Sequence, residues 1–239
     1  QKTAYEIRLS LVGSEMCIRD SPEALKDLNT AIILNSNLTD AYFNRGYVYH
    51  AFKDYNHALK DFNKYLSIKS NDAEGYLARS NTFKSLNQSE LAEKDLQTYL
   101  KMNPKTSNEF LRRSTVKLEL HDTIGSLSDL NKAIELNPDN AELFLIRSDF
   151  YFWKMDYKKE IEDLNVYLIN NKSNYLAYIK RGDAYAALFI YSAAIEDYSN
   201  AIKLNRGNAH LYFDRGIFYL ENKEFLEARN DLNLALSYN

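Results

Sequence analysis

The sequence predicts an all-α fold, a linear stack of helix hairpins, and three observations predict it. Arg45, Arg79, Arg113, Arg147, Arg181 and Arg215 stand 34 residues apart, each followed by Gly or Ser. An Asp column of the same period, Asp27, Asp61, Asp95, Asp129, Asp163, Asp197 and Asp231, runs beside them. Only 7 Gly and 3 Pro interrupt 239 residues, too few to divide the chain into strands and tight turns. A fixed period of this length marks a repeat architecture, whose units cannot bury their apolar faces alone and must stack.

The first in-register element is a lone second helix at residues 22–36, a half repeat carrying Ala24 and Leu28. Six units follow, at 39–72, 73–106, 107–140, 141–174, 175–208 and 209–239. In the first of them Tyr42, Gly46 and Tyr49 lie on one helical face. A break at Lys53-Asp54 follows, and then Ala58, Phe62, Tyr65 and Leu66 form a second stripe. The other units repeat this layout. The first helices carry the aromatic column Tyr42, Tyr76, Phe110, Phe144, Tyr178 and Tyr212, followed by the small column Gly46, Ser80, Ser114, Ser148, Gly182 and Gly216. The small residues let the second helix approach closely. The second helices carry Ala24, Ala58, Ala92, Ala194 and Ala228, and four residues later Leu28, Phe62, Leu96, Leu130, Leu164, Tyr198 and Leu232. Two of them end in Met102-Asn103-Pro104 and Leu136-Asn137-Pro138, where Pro cannot continue a helix.

These columns resemble the tetratricopeptide repeat. The resemblance implies a right-handed α-solenoid of about six nearly complete repeats plus a half repeat, with the first helices lining a concave groove. Three positions depart from the pattern. Lys117 replaces an aromatic, and Ser126 and Glu160 replace Ala, so residues 107–174 are expected to be the loosest stretch.

An antiparallel hairpin brings Arg45 level with Asp61. One ion pair per unit follows: Arg45 with Asp61, Arg79 with Asp95, Arg113 with Asp129, Arg147 with Asp163, Arg181 with Asp197, and Arg215 with Asp231. Recurrence in every unit suits architecture rather than an active site, so these pairs are read as setting the register of the hairpins.

Residues 1–21 break the pattern. In phase, Leu11 and Val12 would occupy the Arg and Gly/Ser columns and Glu15 the aromatic column. The segment QKTAYEIRLSLVGSEMCIRD resembles peptides translated from sequencing-adapter DNA, so it is read as a non-native leader whose removal should cost little stability. At the other end the last second helix stops at Tyr238-Asn239 without a polar capping helix, and the chain is expected to be a fragment.

Composition excludes several functions. A net charge of −3 with a pI near 5.9 supplies no basic excess for a phosphate backbone or an anionic membrane. Apolar stretches such as Leu143 to Ile146 are cut by charges long before a membrane span. A single Cys, Cys17, excludes an internal disulfide framework and a Cys-based zinc site, and fits a reducing, cytoplasmic setting. There is no Gly-rich phosphate loop, no His-Glu-X-X-His and no Gly-X-Ser-X-Gly, and His50, His57, His121 and His210 are scattered. Acidic pairs such as Glu160 with Glu162, or Asp156 with Glu160, read as solvated helix faces. No catalysis, cofactor or metal is expected.

Function then rests on the groove, which suits a peptide or amphipathic helix of a protein partner. Its apolar members are Phe43, Tyr47, Phe152, Trp153 and Phe213. Its polar members are Asn44, Asn81, Lys84, Arg112 and Lys180, suited to partner backbone or carboxylates. Asp149, Asp183 and Asp214 favour basic partner residues toward the C-terminal half. Family members that bind chaperone carboxylates use a Lys/Asn clamp, but the column that would supply the Lys reads Phe43, Leu77, Leu111, Leu145, Ile179 and Phe213. The leading reading is a protein-interaction scaffold. Its alternatives are the recruiting or regulatory arm of a larger enzyme or signalling protein, and self-association through uncapped ends.

Overall fold

The computed structural model describes residues 22–238, so the expected leader at 1–21, with Cys17, lies outside the described residues. The described residues form thirteen α-helices and no strand. They are α1 (Pro22–Leu34), α2 (Thr39–Ala51), α3 (Tyr55–Ile68), α4 (Ala73–Ser85), α5 (Ser89–Leu100), α6 (Ser107–Glu119), α7 (Thr123–Leu136), α8 (Ala141–Trp153), α9 (Tyr157–Asn170), α10 (Tyr175–Ala187), α11 (Tyr191–Leu204), α12 (Ala209–Glu221) and α13 (Phe225–Ser237). The chain divides into two compact units, residues 1–103 and 104–239. The described part of the first holds α1 to α5, and the second holds α6 to α13.

One turn joins the two helices of every hairpin, and its geometry has a common cause. Lys53, Asn87, His121, Met155, Phe189 and Lys223 all have φ between 56° and 65°, the left-handed region. Each closes its first helix with a paired 6→1 and 5→2 hydrogen bond, as Asp54 N–H to Tyr49 O and Lys53 N–H to His50 O do in the first hairpin. Helices commonly end this way, but with Gly at the left-handed position, because a Cβ there crowds the following carbonyl. The next residue starts the second helix. Asp54, Asp122 and Asp156 accept from the backbone N–H three residues on, whereas Gln88, Ile190 and Glu224 make no side-chain cap.

The core lies between successive hairpins, as the stacking argument requires. In the first unit Ala24, Leu28 and Ala31 of α1 meet Ala41 and Val48 of α2, and Ala58 and Phe62 of α3 meet Ala78 of α4. In the second, Leu130 and Ala133 of α7 meet Leu143 and Phe150 of α8. Leu164 and Tyr167 of α9 meet Ala177 of α10, and Tyr198 and Ala201 of α11 meet Leu211 and Tyr212 of α12.

Within each hairpin the small column sets the approach. A Cβ built on Gly46 would lie 2.7 Å from Phe62, and one on Gly182 2.8 Å from Tyr198. Two Ser members, Ser80 and Ser114, bond across the contact, whereas Ser148 Oγ donates to Leu145 O of its own helix. Ser80 Oγ donates to Ala92 O at 3.1 Å, and Ser126 Oγ donates to Ser114 O at 2.7 Å.

Candidate functional site

The six Arg and the six Asp from Asp61 to Asp231 are engaged inside the hairpins, while Asp27 of the half repeat is exposed. Each of the six Arg donates from Nε and Nη2 to the two oxygens of the Asp sixteen residues on, at 2.6–2.8 Å. These six Asp residues are buried. The guanidinium also lies over aromatic rings, as Arg45 does over Tyr42 at 5.6 Å and Tyr49 at 5.8 Å. Nη1 reaches back to the preceding hairpin: Arg45 to Asn29, Arg79 to Asn63, Arg147 to Asn131, Arg181 to Asn165 and Arg215 to Ser199. This column, Asn or Ser at every 34-residue step except Gln97, was legible in the sequence, yet the reading above passed over it. With it, Arg45, Arg79, Arg147, Arg181 and Arg215 each tie their own hairpin and the one before.

Lys117, the aromatic-column outlier, has become a second cation on this network, with Nζ 2.8 Å from Asp129 Oδ2. Burial pushes the Asp129 carboxyl up, but Arg113 and Lys117 together outweigh it and hold it below the ordinary range. Asp163 and Asp197, with one Arg each, are pushed above it by burial. The second cation, Lys117, is what sets Asp129 apart from Asp163 and Asp197 and turns the direction of its shift.

The first-helix face differs between the units. In the first unit Phe43 and Tyr47 are half-buried against the core. Phe43 packs on Tyr65 with ring centroids 4.6 Å apart, and Tyr47 meets Phe62 edge-on at 5.5 Å. Asn44 and Lys84 are half-buried and Asn81 is exposed. His50 reaches Thr82 at 3.1 Å, and burial lowers its pKa.

In the second unit the face is open. Arg112, Phe152 and Phe213 are exposed, and Trp153, 81% exposed, sets its ring against Phe152 at 5.5 Å. Lys180, expected to meet a partner's backbone or carboxylates, already has an intramolecular partner. It donates to Asp149 on the preceding first helix, because the 31-residue offset brings the two side chains together. Asp183 accepts from Tyr198 Oη at 2.6 Å. Although Asp183 is exposed as a residue, burial of its carboxyl pushes it above the ordinary range against the Tyr198 bond, and the Asp214 charge adds to the rise. Burial raises Asp214 too, opposed by His210 and Tyr198.

The sequence reading needs a correction at Glu160. The sequence reading placed it on a solvated face with Glu162 and Asp156. Glu162 is exposed and Asp156 half-buried, but Glu160 is 2% exposed and its Oε2 is buried without a hydrogen-bond partner. Its column explains this, since the equivalent positions hold Ala58, Ala92, Ser126, Ala194 and Ala228, all buried. Burial first, and then Asp149 and Asp183 against the opposing charge of Lys180, push its carboxyl from 4.5 to about 7.

Among the described residues no group of three His, Cys, Asp or Glu could hold a metal, and no helix is long and apolar enough to cross a membrane.

Family models described as tetratricopeptide repeat match residues 39–72, 73–106 and 179–237, together more than half of the chain. No curated protein sequence matches. Among solved structures, the Cut9-Hcn1 hetero-tetramer of APC/C is similar at a TM-score of 0.54 and 17% identity, over 99% of this chain and 46% of that one. The present chain thus spans about half of that relative's length. The C-terminal part of a TPR repeat-containing protein from Cytophaga hutchinsonii is similar at 0.74 and 15% identity, covering 99% of this chain and 95% of that one. A tetratricopeptide repeat protein from Parabacteroides merdae is similar at 0.58 and 19% identity, covering 99% and 92%. At these identities the likeness is one of fold.

Proposed function

Because this chain belongs to the tetratricopeptide-repeat family, we propose that it is a protein-interaction scaffold, binding a peptide or helix of a partner along its first helices without chemistry of its own. The observation that carries this reading is the contrast between the two sets of periodic side chains. The Arg, Asp and Asn columns are consumed inside and between hairpins, whereas Phe152, Trp153 and Phe213 of the second unit remain exposed beside Asp149, Lys180, Asp183 and Asp214. Exposed aromatics next to charged groups provide anchors with orienting neighbours, the composition of a recognition surface. The Cut9-Hcn1 structure, a hetero-tetramer, is a precedent for this fold acting through assembly.

The test is selection of peptides from a displayed library, followed by affinity measurements on variants. Phe152→Ala, Phe213→Ala and Asp149→Lys should each weaken selected peptides at least about tenfold. Glu135→Lys, on the exposed side of α7, should leave affinity unchanged. Peptides that bind equally to all four variants would exclude the first-helix face as the binding surface.

A further inference from the structure

Glu160 is a cost that the fold does not require. At the same position the other hairpins carry Ala or Ser, and those residues close the helix contact without a charge. In this hairpin the carboxyl is enclosed under the first-helix face. The ionisable groups acting on it are Asp149 on α8 and Lys180 and Asp183 on α10; on its own element, Asp156 caps the helix start and Glu162 is exposed. Tyr198 and Asp214 border Asp183, and His210 stands beside Asp214.

Positive charge is short in this group. Lys180 is the one cation among the groups acting on Glu160, and it is already bonded to Asp149. Asp183 and Asp214 are each raised by burial, with Tyr198 as a hydrogen-bond donor that carries no charge. Asp129, two hairpins' helices away in the same unit, shows the balanced arrangement, because Arg113 and Lys117 both bond to it. Around Glu160 the described residues supply no second cation. A buried carboxylate oxygen without a partner beside two under-compensated carboxyls is a receptor for positive charge.

We propose that this cluster, Glu160 with Asp149, Lys180 and Asp183 around it and Asp214 beyond Asp183, receives one cationic side chain, an Arg or Lys of the partner segment. The inference rests on the reading of the first helices as the binding face, and it deepens that reading by naming the anchor chemistry. A cation seated here bonds Glu160 Oε2, offsets Asp183 and Asp214, and leaves Phe152 and Phe213 to hold the apolar side chains of the same segment. Because the cation prefers the ionised carboxyl, binding strengthens as pH rises through the Glu160 titration, the opposite of what a neutral hydrogen-bond acceptor, which needs the protonated carboxyl, would show.

The test follows the Glu160 side-chain carboxyl by 13C NMR on the full chain. The probes, all Nα-acetylated so that only the side chain can carry charge, are argininamide, lysinamide and, as the uncharged isostere of the first, citrullinamide. Argininamide should lower the Glu160 midpoint by about one pH unit, a roughly tenfold preference for the ionised form. Citrullinamide should leave the midpoint in place, and a larger response to lysinamide than to argininamide supports the site with an ammonium as its guest. Glu160→Gln, which keeps the volume, and Glu160→Ala, which restores the residue of the equivalent hairpins, should each weaken argininamide at least about tenfold and flatten its pH dependence. A midpoint unmoved by argininamide, an equal response to citrullinamide, or binding unchanged in both variants overturns the proposal. If selected peptides still bind through Phe152 and Phe213 while argininamide does nothing, the cation receptor falls and the wider scaffold reading stands. If argininamide binds as described and no peptide is selected, the receptor stands without that reading.

Discussion

Replacing Glu160 by Ala should stabilise the protein at pH 8 and do far less at pH 5, the reverse of the usual penalty for truncating a buried side chain. Glu160 is 2% exposed and its carboxyl is pushed from 4.5 to about 7. At about 1.4 kcal/mol per pH unit, the shift corresponds to about 3 kcal/mol. Its sign follows from proton uptake. Between pH 4.5 and about 7 the native chain holds a proton that the unfolded chain has released, so stability falls as pH rises through this window. The contribution is fully present below the lower value and lost above the upper one. Of the total, about 2.5 kcal/mol lies between pH 5 and pH 8. Ala58, Ala194 and Ala228 are completely buried at the equivalent position, so the fold accommodates Ala there. Any residual cavity cost is the same at both pH values and cancels in the comparison. Urea unfolding of wild type and Glu160→Ala at pH 5 and pH 8 gives the four stabilities needed. The gain on substitution should be larger at pH 8 by about 2.5 kcal/mol. An equal gain at both values, or a larger one at pH 5, refutes the reasoning.

Three further predictions draw on the hairpin geometry. Gly182→Ala puts a Cβ 2.8 Å from the Tyr198 ring and should cost about 1 to 3 kcal/mol, whereas Gly216→Ala meets flexible Leu232 at 3.1 Å and should be near neutral in thermal unfolding. Phe189, 78% exposed at φ 61°, should give way to Asn with a gain of up to about 1 kcal/mol, and Ile190→Asp should add about another by supplying the cap that Asp54, Asp122 and Asp156 already provide. Arg147→Ala should cost about 3 kcal/mol because it strands buried Asp163, and the double change Arg147→Met with Asp163→Leu should recover most of that loss in urea unfolding.

Most of the fold was legible because it is written periodically. A column recurring every 34 residues fixes which side chains meet across a hairpin, so Arg45 could be set opposite Asp61 without coordinates. The turns were legible as breaks but not in their conformation, since the left-handed position holds Lys, Asn, His, Met and Phe where a Gly would have announced it. The candidate site was less legible because it is made of departures from the period. Lys180 was read by itself, and its bond to Asp149 depends on a 31-residue offset that no column displays. Glu160 carried two contradictory signals. Its neighbours Asp156 and Glu162 suggested a solvated face, while its column of Ala and Ser required burial. Packing decided for the column, because the helix contact recurs whatever the side chain. Phe43 and Tyr47 were read as groove residues, and their half-buried stacking on Tyr65 and Phe62 reflects the extra aromatic volume in that hairpin, which the chain pattern does not weigh.

The scaffold account is tested most directly by mapping where a library-selected peptide touches the chain. A photo-crosslinking amino acid is placed at position 152, at position 213, or at position 169 on the second helix α9, where Ile169 is 64% exposed. The account predicts peptide adducts at 152 and 213 and none at 169. Adducts at 169 with none at the two first-helix positions would contradict it.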